Sequence, residues 1–297
     1  MKKVLVIVGP TAIGKTNLSI SLAKLFNGEI ISGDSIQVYK GLDIGSGKIT
    51  TKDMDNIKHY GIDILDNKDN YSVYDFQSNA REYINTIISN NKLPIVCGGT
   101  GLYIKALLYD YIFSDNISID YSIYDNLSNQ EIYNRLLIKD PKSLDTIHIN
   151  NRQRLIRALA LADNNKPKSK QIDKQEHKLI YDALIIGLTT DREQVYNRIN
   201  NRVDIMFKEG LLEEVNNLIN SGISFDNQCM QAIGYKEFKY YYNNELEIKE
   251  VKELIKRNSR RLAKKQYTWF NNQTKIKWYD INDYELLVNE VKLWMKN

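Results

Sequence analysis

Four residues near the amino terminus, Gly9, Gly14, Lys15 and Thr16, follow the spacing G-x-x-x-x-G-K-T in the stretch "GPTAIGKT". The glycines let the backbone curl so that its N–H groups face one anion, and the lysine adds a full positive charge. The Thr16 hydroxyl is placed to ligate a magnesium ion that bridges phosphate oxygens. The spacing therefore predicts a phosphate-binding loop of eight residues: Gly9, Pro10, Thr11, Ala12, Ile13, Gly14, Lys15 and Thr16.

Asp34 is the next residue whose position suggests chemistry, because it lies beside Ser35 at the end of the apolar stretch "GEIISGD". If that stretch is a strand parallel to the one before the loop, the two strands end at the same edge of a sheet. A carboxylate at that edge can accept a proton from an incoming nucleophile. Asp and Ser are also good caps for a following segment, so position alone leaves both interpretations open.

The elements that must position these residues alternate between strand and helix patterns. Continuous apolar runs are typical of parallel strands that are covered on both faces. Helical spacing of apolar residues occurs at 16–26 and 73–90, and the chain after 191 is mostly helical apart from a loop at 221–229. We expect an α/β fold, a parallel sheet flanked by helices with its chemistry at the carboxyl ends of the strands. The expected strands are 4–8, 28–34, 93–101 (interrupted by its glycines), 183–188 and 275–279.

The segment after the third expected strand and its glycines has a different composition. From residue 110 to about 150 it is polar, rich in Tyr and Asn, and contains only short helical patterns. We therefore expect a core domain formed by residues 1–109 and 183–297. We expect a smaller, mostly helical insertion domain at 110–182, able to move as a lid.

The composition is that of a globular protein, with 42% hydrophobic and 26% charged residues among 297. A net charge of +4 permits a nucleic-acid partner without requiring one. The two cysteines have neither metal-ligand nor CxxC spacing, which favours a reducing compartment. There is no apolar run of about 18 residues, and the first run is too short for a signal peptide. We expect a cytoplasmic monomer that has no membrane partner.

The glycines of the third expected strand bear on the kind of reaction. In NTP-hydrolysing proteins with this loop, a later strand usually ends in an acidic residue that helps to hold magnesium. Here the candidate strand "LPIVCGG" ends in Gly98 and Gly99. This difference disfavours a motor, switch or hydrolase and favours group transfer to a second substrate.

Several separated stretches of the chain occur together in one protein family. They are "GPTAIGKT" (9–16), "SGDSIQVYKGLDIGSGK" (32–48), "YSVYDF" (71–76), "GGTGLYIKALL" (98–108), "RLIRAL" (154–159), "MQAIGYKE" (230–237) and "RRLAKKQYTWF" (260–270). In their order and over almost the whole chain, they resemble the bacterial tRNA dimethylallyltransferases, also called IPP transferases. The resemblance implies a core like that of P-loop NTPases. It also implies transfer of a dimethylallyl group from dimethylallyl pyrophosphate to the exocyclic amine of the adenine beside the tRNA anticodon.

The resemblance also implies roles for individual residues. The loop would hold the pyrophosphate of the donor, with Mg²⁺ as cofactor, so a loop of this kind does not establish ATP binding. Asp34 would align the amine and take its proton, and Thr11 and Arg202 would act near the reacting centre. The residues implied in tRNA contact are Asp34, Ser35, Ile36, Gln37, Thr100, Gln153, Arg154, Leu155, Ile156, Arg157, Gln231, Ala232, Ile233, Gly234, Tyr235 and Lys236.

The chain departs from the family pattern within the expected insertion. The stretch "HINN" ends in Asn151 where the family has an acid, and "RALA" ends in Ala160 where the family has glutamate. Such acids orient neighbouring arginines. Their absence therefore bears on how well Arg154 and Arg157 bind tRNA.

Two features have an ordinary structural alternative. Arg202 could be an exposed helical arginine that pairs with Asp204 or Glu209. The basic stretch "IKRNSRRLAKKQYTWF" could be a solvated helix face, or some of its arginines could contact the RNA backbone. In either case we expect Leu262 and Trp269 in the hydrophobic core.

Two alternatives to prenyl transfer stay open for the whole chain. One is a small-molecule kinase that binds ATP in the loop, and the other is a nucleic-acid-binding protein that keeps the loop without catalysis. A kinase needs an arginine-rich lid over the transferred phosphoryl group. The expected insertion has only Arg135 before the arginines of 152–157, which disfavours the kinase.

Overall fold

The structure, a computed structural model, describes residues 1–111, 113, 120–172, 176, 178–273 and 275–297. The chain forms two compact units. The first, called the core unit below, comprises Met1–Leu108 and Tyr181–Asn297. The second, called the helical unit, is Tyr109–Ile180. Each unit has its own cluster of buried apolar side chains.

The core unit is built on a sheet of six strands. They are β1 (Lys3–Val8), β2 (Gly28–Ser32), β3 (His59–Tyr60), β4 (Leu93–Cys97), β5 (Asp182–Thr189) and β6 (Lys277–Asp280). Their order is β3-β2-β4-β1-β5-β6, and every neighbouring pair is parallel. Because β4 pairs with both β1 and β2, the phosphate-binding loop after β1 and Asp34 after β2 lie at one edge of the sheet.

The described residues include eleven α-helices, and those of the core unit follow most of its strands. They are α1 (Lys15–Leu25), α2 (Val73–Ser89), α3 (Gly101–Leu108), α4 (Asn129–Lys139), α5 (Arg152–Asp163), α6 (Lys168–Ile172), α7 (Arg192–Lys208), α8 (Leu211–Asn220), α9 (Phe238–Tyr242), α10 (Ile248–Gln273) and α11 (Tyr284–Lys296). The start of α2 shows how the sequence fixes a boundary. The Ser72 hydroxyl accepts the Asp75 N–H at 3.2 Å, and the Asp75 carboxylate accepts the Ser72 N–H at 2.8 Å.

The helical unit contains α4, α5 and α6, and both departures from the family pattern fit its local structure. The Asn151 side chain caps α5 by accepting the Arg154 N–H at 3.3 Å. Ala160 is fully buried beside Leu155 in the core of this unit. A carboxylate at position 160 would lie in that core, so a small apolar residue suits the packing.

The α/β class and the five expected strands are confirmed, with small shifts at their ends. β2 ends at Ser32 rather than at residue 34, because Asp34 already belongs to the turn that follows. β3 has two residues, too few for a recognisable pattern, and was not predicted. The expected loop at 221–229 runs into a 3₁₀ turn at Gln228–Gln231. In the described part of the chain, no helix has both the length and the apolar character that crossing a membrane requires.

Candidate active site

The phosphate-binding loop between β1 and α1 is shaped by its glycines. Gly9 and Gly14 have φ values of +146° and +106°, which residues other than glycine rarely adopt. A Cβ atom on Gly9 would also lie 2.8 Å from the carbonyl oxygen of Leu188 in β5. The Lys15 ammonium group donates to the Pro10 carbonyl oxygen at 2.7 Å and so closes the loop upon itself.

The electrostatic surroundings of Lys15 suit anion binding. Burial lowers the pKa of the Lys15 amine to about 8. The charge of Arg202 also lowers this pKa, while Cys97 and Asp34 raise it and so offset part of the change. The amine is therefore still mostly protonated at pH 7. A negatively charged group beside it would favour the charged form and raise its pKa again.

Thr16 exposes its side chain at the start of α1. Among the described residues, no three His, Cys, Asp or Glu side chains are grouped so that they could hold a metal ion. Magnesium bound to a phosphate ester needs few protein ligands, because it keeps several waters and takes oxygens from the phosphates. A hydroxyl at the end of a phosphate-binding loop is thus compatible with an ion that the substrate largely holds.

A cleft of about 570 Å³ opens in the core unit beside the phosphate-binding loop. Its walls come from that loop, from the segments after β2 and β4, and from α7 and α10. The cleft brings together ten residues for which catalysis or tRNA contact was predicted: Thr11, Asp34, Ser35, Ile36, Thr100, Arg202, Gln231, Ala232, Ile233 and Gly234. Its volume is in the range typical of small-ligand sites.

Asp34 combines the two roles that its position left open. Its Oδ1 atom accepts the N–H of Ile36 at 2.8 Å and that of Gln37 at 3.4 Å, as a capping residue does. The same side chain lines the cleft. Within the described residues no hydrogen bond uses its Oδ2 atom, so this oxygen can interact with a group in the cleft.

Arg202 of α7 lies between the phosphate-binding loop and the segment after β2. Its Nη1 atom donates to the Thr11 hydroxyl at 3.4 Å, and its Nη2 atom donates to the Ser46 carbonyl oxygen at 3.1 Å. A Cβ atom on Gly47 would lie 1.7 Å from Nη2, so the guanidinium group fills the space that glycine leaves. Burial lowers the pKa of Arg202, and nearby Asp34 opposes this change.

The alternative in which Arg202 is an exposed surface arginine is wrong. Asp204 instead forms ion pairs with Lys252 at 2.6 Å and with Lys256 at 2.9 Å. These pairs tie α7 to α10. The contacts described for the chain include no pairing of Arg202 with Asp204 or Glu209.

Gln266 of α10 is a site residue that reasoning from the sequence missed. Its side-chain Oε1 accepts the Thr11 N–H at 3.0 Å, and its Nε2 donates to the Gly99 carbonyl oxygen at 3.0 Å. A Cβ atom would lie 2.3 Å from Gln266 Nε2 if placed on Gly99, and 2.2 Å from the Trp269 ring if placed on Gly101. These glycines therefore let α10 approach the end of β4 closely. The one signal for Gln266 was the stretch "KKQYTWF", which the chain shares with the family.

The basic stretch in α10 is divided between structural and exposed residues. Leu262 and Trp269 were expected in the core, but they are half-buried and line the cleft, because this face of α10 borders the cavity. Arg260 donates to the Asn200 side chain of α7 at 2.5 Å. The basic residues of this stretch with exposed side chains are Arg257, Arg261, Lys264 and Lys265.

Two residues expected to contact tRNA have side chains that an external molecule cannot reach. Tyr235 is fully buried and its hydroxyl donates to Glu214 at 2.7 Å. Leu155 is fully buried in the core of the helical unit. The prediction is corrected for these side chains, which support the fold. Gln37 is half-buried and accepts the Ser32 hydroxyl at 2.9 Å.

The remaining residues expected to contact tRNA include a basic cluster in the helical unit. Arg154 and Arg157 are exposed on α5. Burial lowers the pKa of Lys168, and the charges of Arg154 and Arg157 lower it further, so the three cations lie near one another. Of the other expected residues, Gln153 and Lys236 are exposed and Ile156 is half-buried.

Comparison with known proteins shows which family the chain is similar to. A family model described as IPP transferase matches residues 37–273, and one described as isopentenyl transferase matches residues 2–69. Proteins named tRNA dimethylallyltransferase from Bacillus cereus and Bacillus mycoides are 49% and 48% identical to this chain. Each match covers 96% of this chain and 92% of the relative.

Solved structures are also similar. The tRNA delta(2)-isopentenylpyrophosphate transferase of Staphylococcus epidermidis is 42% identical with a TM-score of 0.75, covering 100% of this chain and 99% of that one. A eukaryotic dimethylallyltransferase acting on tRNA is 30% identical with a TM-score of 0.84, covering 94% of this chain and 74% of that one. The parallel sheet with its phosphate-binding loop is thus the P-loop-like fold of these transferases. By sequence, fold and extent of similarity, the chain belongs to the IPP transferase family.

Proposed function

We propose that the chain transfers a dimethylallyl group from dimethylallyl pyrophosphate to the exocyclic amine of the adenine beside the anticodon of tRNA. The C–O bond to pyrophosphate breaks, the C–N bond to adenine forms, and the amine loses a proton. One observation carries the proposal: in a member of this family, Asp34, Thr11 and Arg202 line one cleft beside the phosphate-binding loop.

On the donor side, the loop and its neighbours would stabilise the departing pyrophosphate. Negative charge grows on the leaving oxygens as the allylic carbon gains carbocation character. Lys15, the loop N–H groups and Arg202 would provide fixed positive charge next to these oxygens. Interactions that are stronger in the transition state than in the bound substrate lower the barrier more than interactions that bind both equally. A magnesium ion bound to the Thr16 hydroxyl and the pyrophosphate would add further positive charge.

On the acceptor side, Asp34 would accept a hydrogen bond from the adenine amine and then its proton. This amine is a weak nucleophile, because its lone pair is delocalised into the ring. The Oδ2 atom of Asp34 is the oxygen that no described hydrogen bond uses. Ser35, Ile36 and Thr100 line the same cleft and would surround a base that leaves its stack.

The helical unit would contribute contacts to the RNA backbone. Its exposed Arg154 and Arg157, with Lys168 nearby, suit phosphate groups, which position an RNA without reading its sequence. We infer that this unit is the tRNA-binding insertion of the chain. That the protein acts as a monomer, and in the cytoplasm, stays a prediction.

The test uses two radiolabelled donors. The protein is incubated with unmodified tRNA and either [¹⁴C]dimethylallyl pyrophosphate or [γ-³²P]ATP. We expect label in the RNA only with the prenyl ester, and loss of this signal when the target adenosine is replaced by guanosine. Phosphate transfer from ATP to a small molecule would support the kinase instead, and RNA binding without transfer of either label would support a binding protein.

A further inference from the structure

The segment 43–47, which lies between β2 and β3, is held by a single carboxylate from α8. The Oε2 atom of Glu214 accepts the N–H of Asp43 at 2.8 Å and that of Ile44 at 2.7 Å. Its Oε1 atom accepts the N–H of Gly45 at 3.0 Å. Successive backbone N–H groups that converge on one anion form a nest, and hydrogen bonds to a charged acceptor are stronger than neutral ones.

Tyr235 extends this arrangement by one residue. Its hydroxyl donates to Glu214 Oε1 at 2.7 Å and accepts the Ser46 N–H at 3.1 Å. A Cβ atom on Gly45 would lie 2.5 Å from the Tyr235 ring, so the backbone packs directly on the ring. Burial and the adjacent Glu214 charge raise the pKa of Tyr235 well above its ordinary value, which keeps the hydroxyl protonated as a donor.

The same segment also binds Arg202. The Ser46 carbonyl oxygen accepts Arg202 Nη2 at 3.1 Å, while the Gly47 N–H of that peptide unit donates to the Ile44 carbonyl oxygen at 2.9 Å. The segment therefore binds Glu214 and Tyr235 through its N–H groups and Arg202 through a carbonyl group. Movement of the segment would move the guanidinium group relative to the Thr11 hydroxyl.

We propose that Glu214 and Tyr235 are positioning residues, which fix the segment 43–47 and through it the place of Arg202 during prenyl transfer. The inference rests on the proposed function. Neither side chain lines the cleft, so each acts through the segment rather than on the substrate.

The segment has a second anchor, so loss of the Glu214 charge should shift it without unfolding the protein. The Lys48 ammonium group donates to the Tyr39 carbonyl oxygen at 2.8 Å. It also forms ion pairs with Asp43 at 2.6 Å and Asp63 at 2.5 Å. The Lys48 side chain is only 3% exposed, whereas the Asp43 and Asp63 side chains are 61% and 47% exposed.

The kinetic test compares Glu214→Gln with Glu213→Gln. Glu213 is exposed on the same helix and receives none of the backbone hydrogen bonds, so its variant is the matched control for the loss of charge. We expect Glu214→Gln to lower kcat roughly 10- to 100-fold, as small misplacements of catalytic groups do, with KM for tRNA changed less than about twofold. Tyr235→Phe keeps the ring and should lower kcat by a smaller factor. The control should match the wild type.

A double-mutant cycle separates positioning from a general effect on folding. If Glu214 acts through Arg202, Glu214→Gln should lower kcat by less than about twofold in an Arg202→Ala background. Equal losses in the two backgrounds would overturn the proposal. Wild-type kcat for Glu214→Gln would overturn it too, while leaving the proposed function standing.

Hydrogen exchange gives a readout that does not need activity. In Glu214→Gln, the N–H groups of residues 43–46 should exchange faster, while those of β1 and β4 keep their wild-type protection. If the wild type transfers no dimethylallyl group, the proposed function fails, and exchange still reports whether Glu214 holds the segment. Unchanged protection at 43–46 would contradict the inference.

Discussion

Asp34 shows how one side chain can stabilise a turn and still serve a reaction. Its two carboxylate oxygens have separate surroundings, since Oδ1 accepts the Ile36 N–H and Oδ2 has no partner within the described residues. A substitution that keeps Oδ1 but removes the charge can therefore separate the two roles.

We expect Asp34→Asn to keep the turn and to lose most of the activity. The amide oxygen can still accept the Ile36 N–H, but a neutral amide cannot take a proton from adenine. The rate of a single turnover should fall about 100-fold or more, in line with general-base catalysis, while tRNA binding stays unchanged. Asp34→Ala is the comparison, since it also removes the hydrogen bond to the Ile36 N–H and should cost about 1 kcal/mol of unfolding free energy. A wild-type rate for Asp34→Asn would remove Asp34 from the mechanism.

The low pKa of Lys15 predicts a pH dependence of pyrophosphate binding. Because this pKa is lowered to about 8, the amine carries its charge below pH 8 and loses it as the pH rises through that value. Affinity for inorganic pyrophosphate should therefore weaken above pH 8, by up to about tenfold per pH unit until the pKa of the bound state is reached. Calorimetry from pH 6.5 to 9.5 measures this.

Lys15→Arg is the control for that titration, because arginine stays charged throughout the range. Pyrophosphate itself also titrates, so the informative quantity is the ratio of the wild-type and variant dissociation constants at each pH. A ratio that stays constant across pH 8 would show that Lys15 does not lose its proton there.

At the level of elements, close approach of backbone and side chains assembles the cleft. The glycines after β4 let α10 bring Gln266 and Trp269 against that edge, and Gly47 leaves room for Arg202 of α7. The geometry of the site thus depends on positions that have no side chain at all.

We expect Gly47→Ala to reduce activity more than stability. Gly47 and Gly41 both have positive φ, +59° and +72°, so alanine at either position costs about 1–2 kcal/mol of backbone strain. A Cβ atom on Gly41 would meet no other atom within 4 Å, whereas one on Gly47 would collide with Arg202. Thermal unfolding should therefore show similar losses for the two variants, and kcat should fall only for Gly47→Ala. Equal kcat values for Gly47→Ala and Gly41→Ala would argue against a catalytic role for the position of Arg202.

At the scale of the whole molecule, the two units have separate hydrophobic cores, and their predicted roles differ. The core unit holds the cleft, and the helical unit carries exposed basic residues on α5. Substitutions in α5 should for this reason change tRNA affinity without changing the chemical step.

We expect Arg154→Ala and Arg157→Ala each to weaken tRNA binding and to flatten its salt dependence. Each lost phosphate contact should reduce the log–log slope of affinity against salt by roughly 0.7–0.9. Filter binding between 50 and 300 mM KCl measures the affinity and its salt dependence. Single-turnover rates at saturating tRNA test whether the chemical step is unchanged. Lys292→Ala removes an exposed charge on α11 and should leave the slope unchanged. Wild-type slopes for both arginine variants would contradict a tRNA contact at α5.

The parallel sheet, the phosphate-binding loop and most helices could be read from contiguous residues, because apolar runs, glycine spacing and caps act locally. The resemblance to the family further indicated Asp34, Thr11 and Arg202. What the sequence could not show is how these parts meet. Gln266 contacts Thr11 across 255 positions, and Glu214 contacts Gly45 across 169, so both contacts exist only once the helices pack on the sheet.

Tertiary packing also decided which faces are covered. Leu262 and Trp269 were predicted to lie in the core because they are apolar, yet their helix face borders the cleft. Tyr235 lies in a stretch expected to contact RNA, yet its ring is buried under the segment that holds Arg202. Residue type sets how favourable burial is, but the neighbouring elements determine whether a given face meets protein or an open cavity.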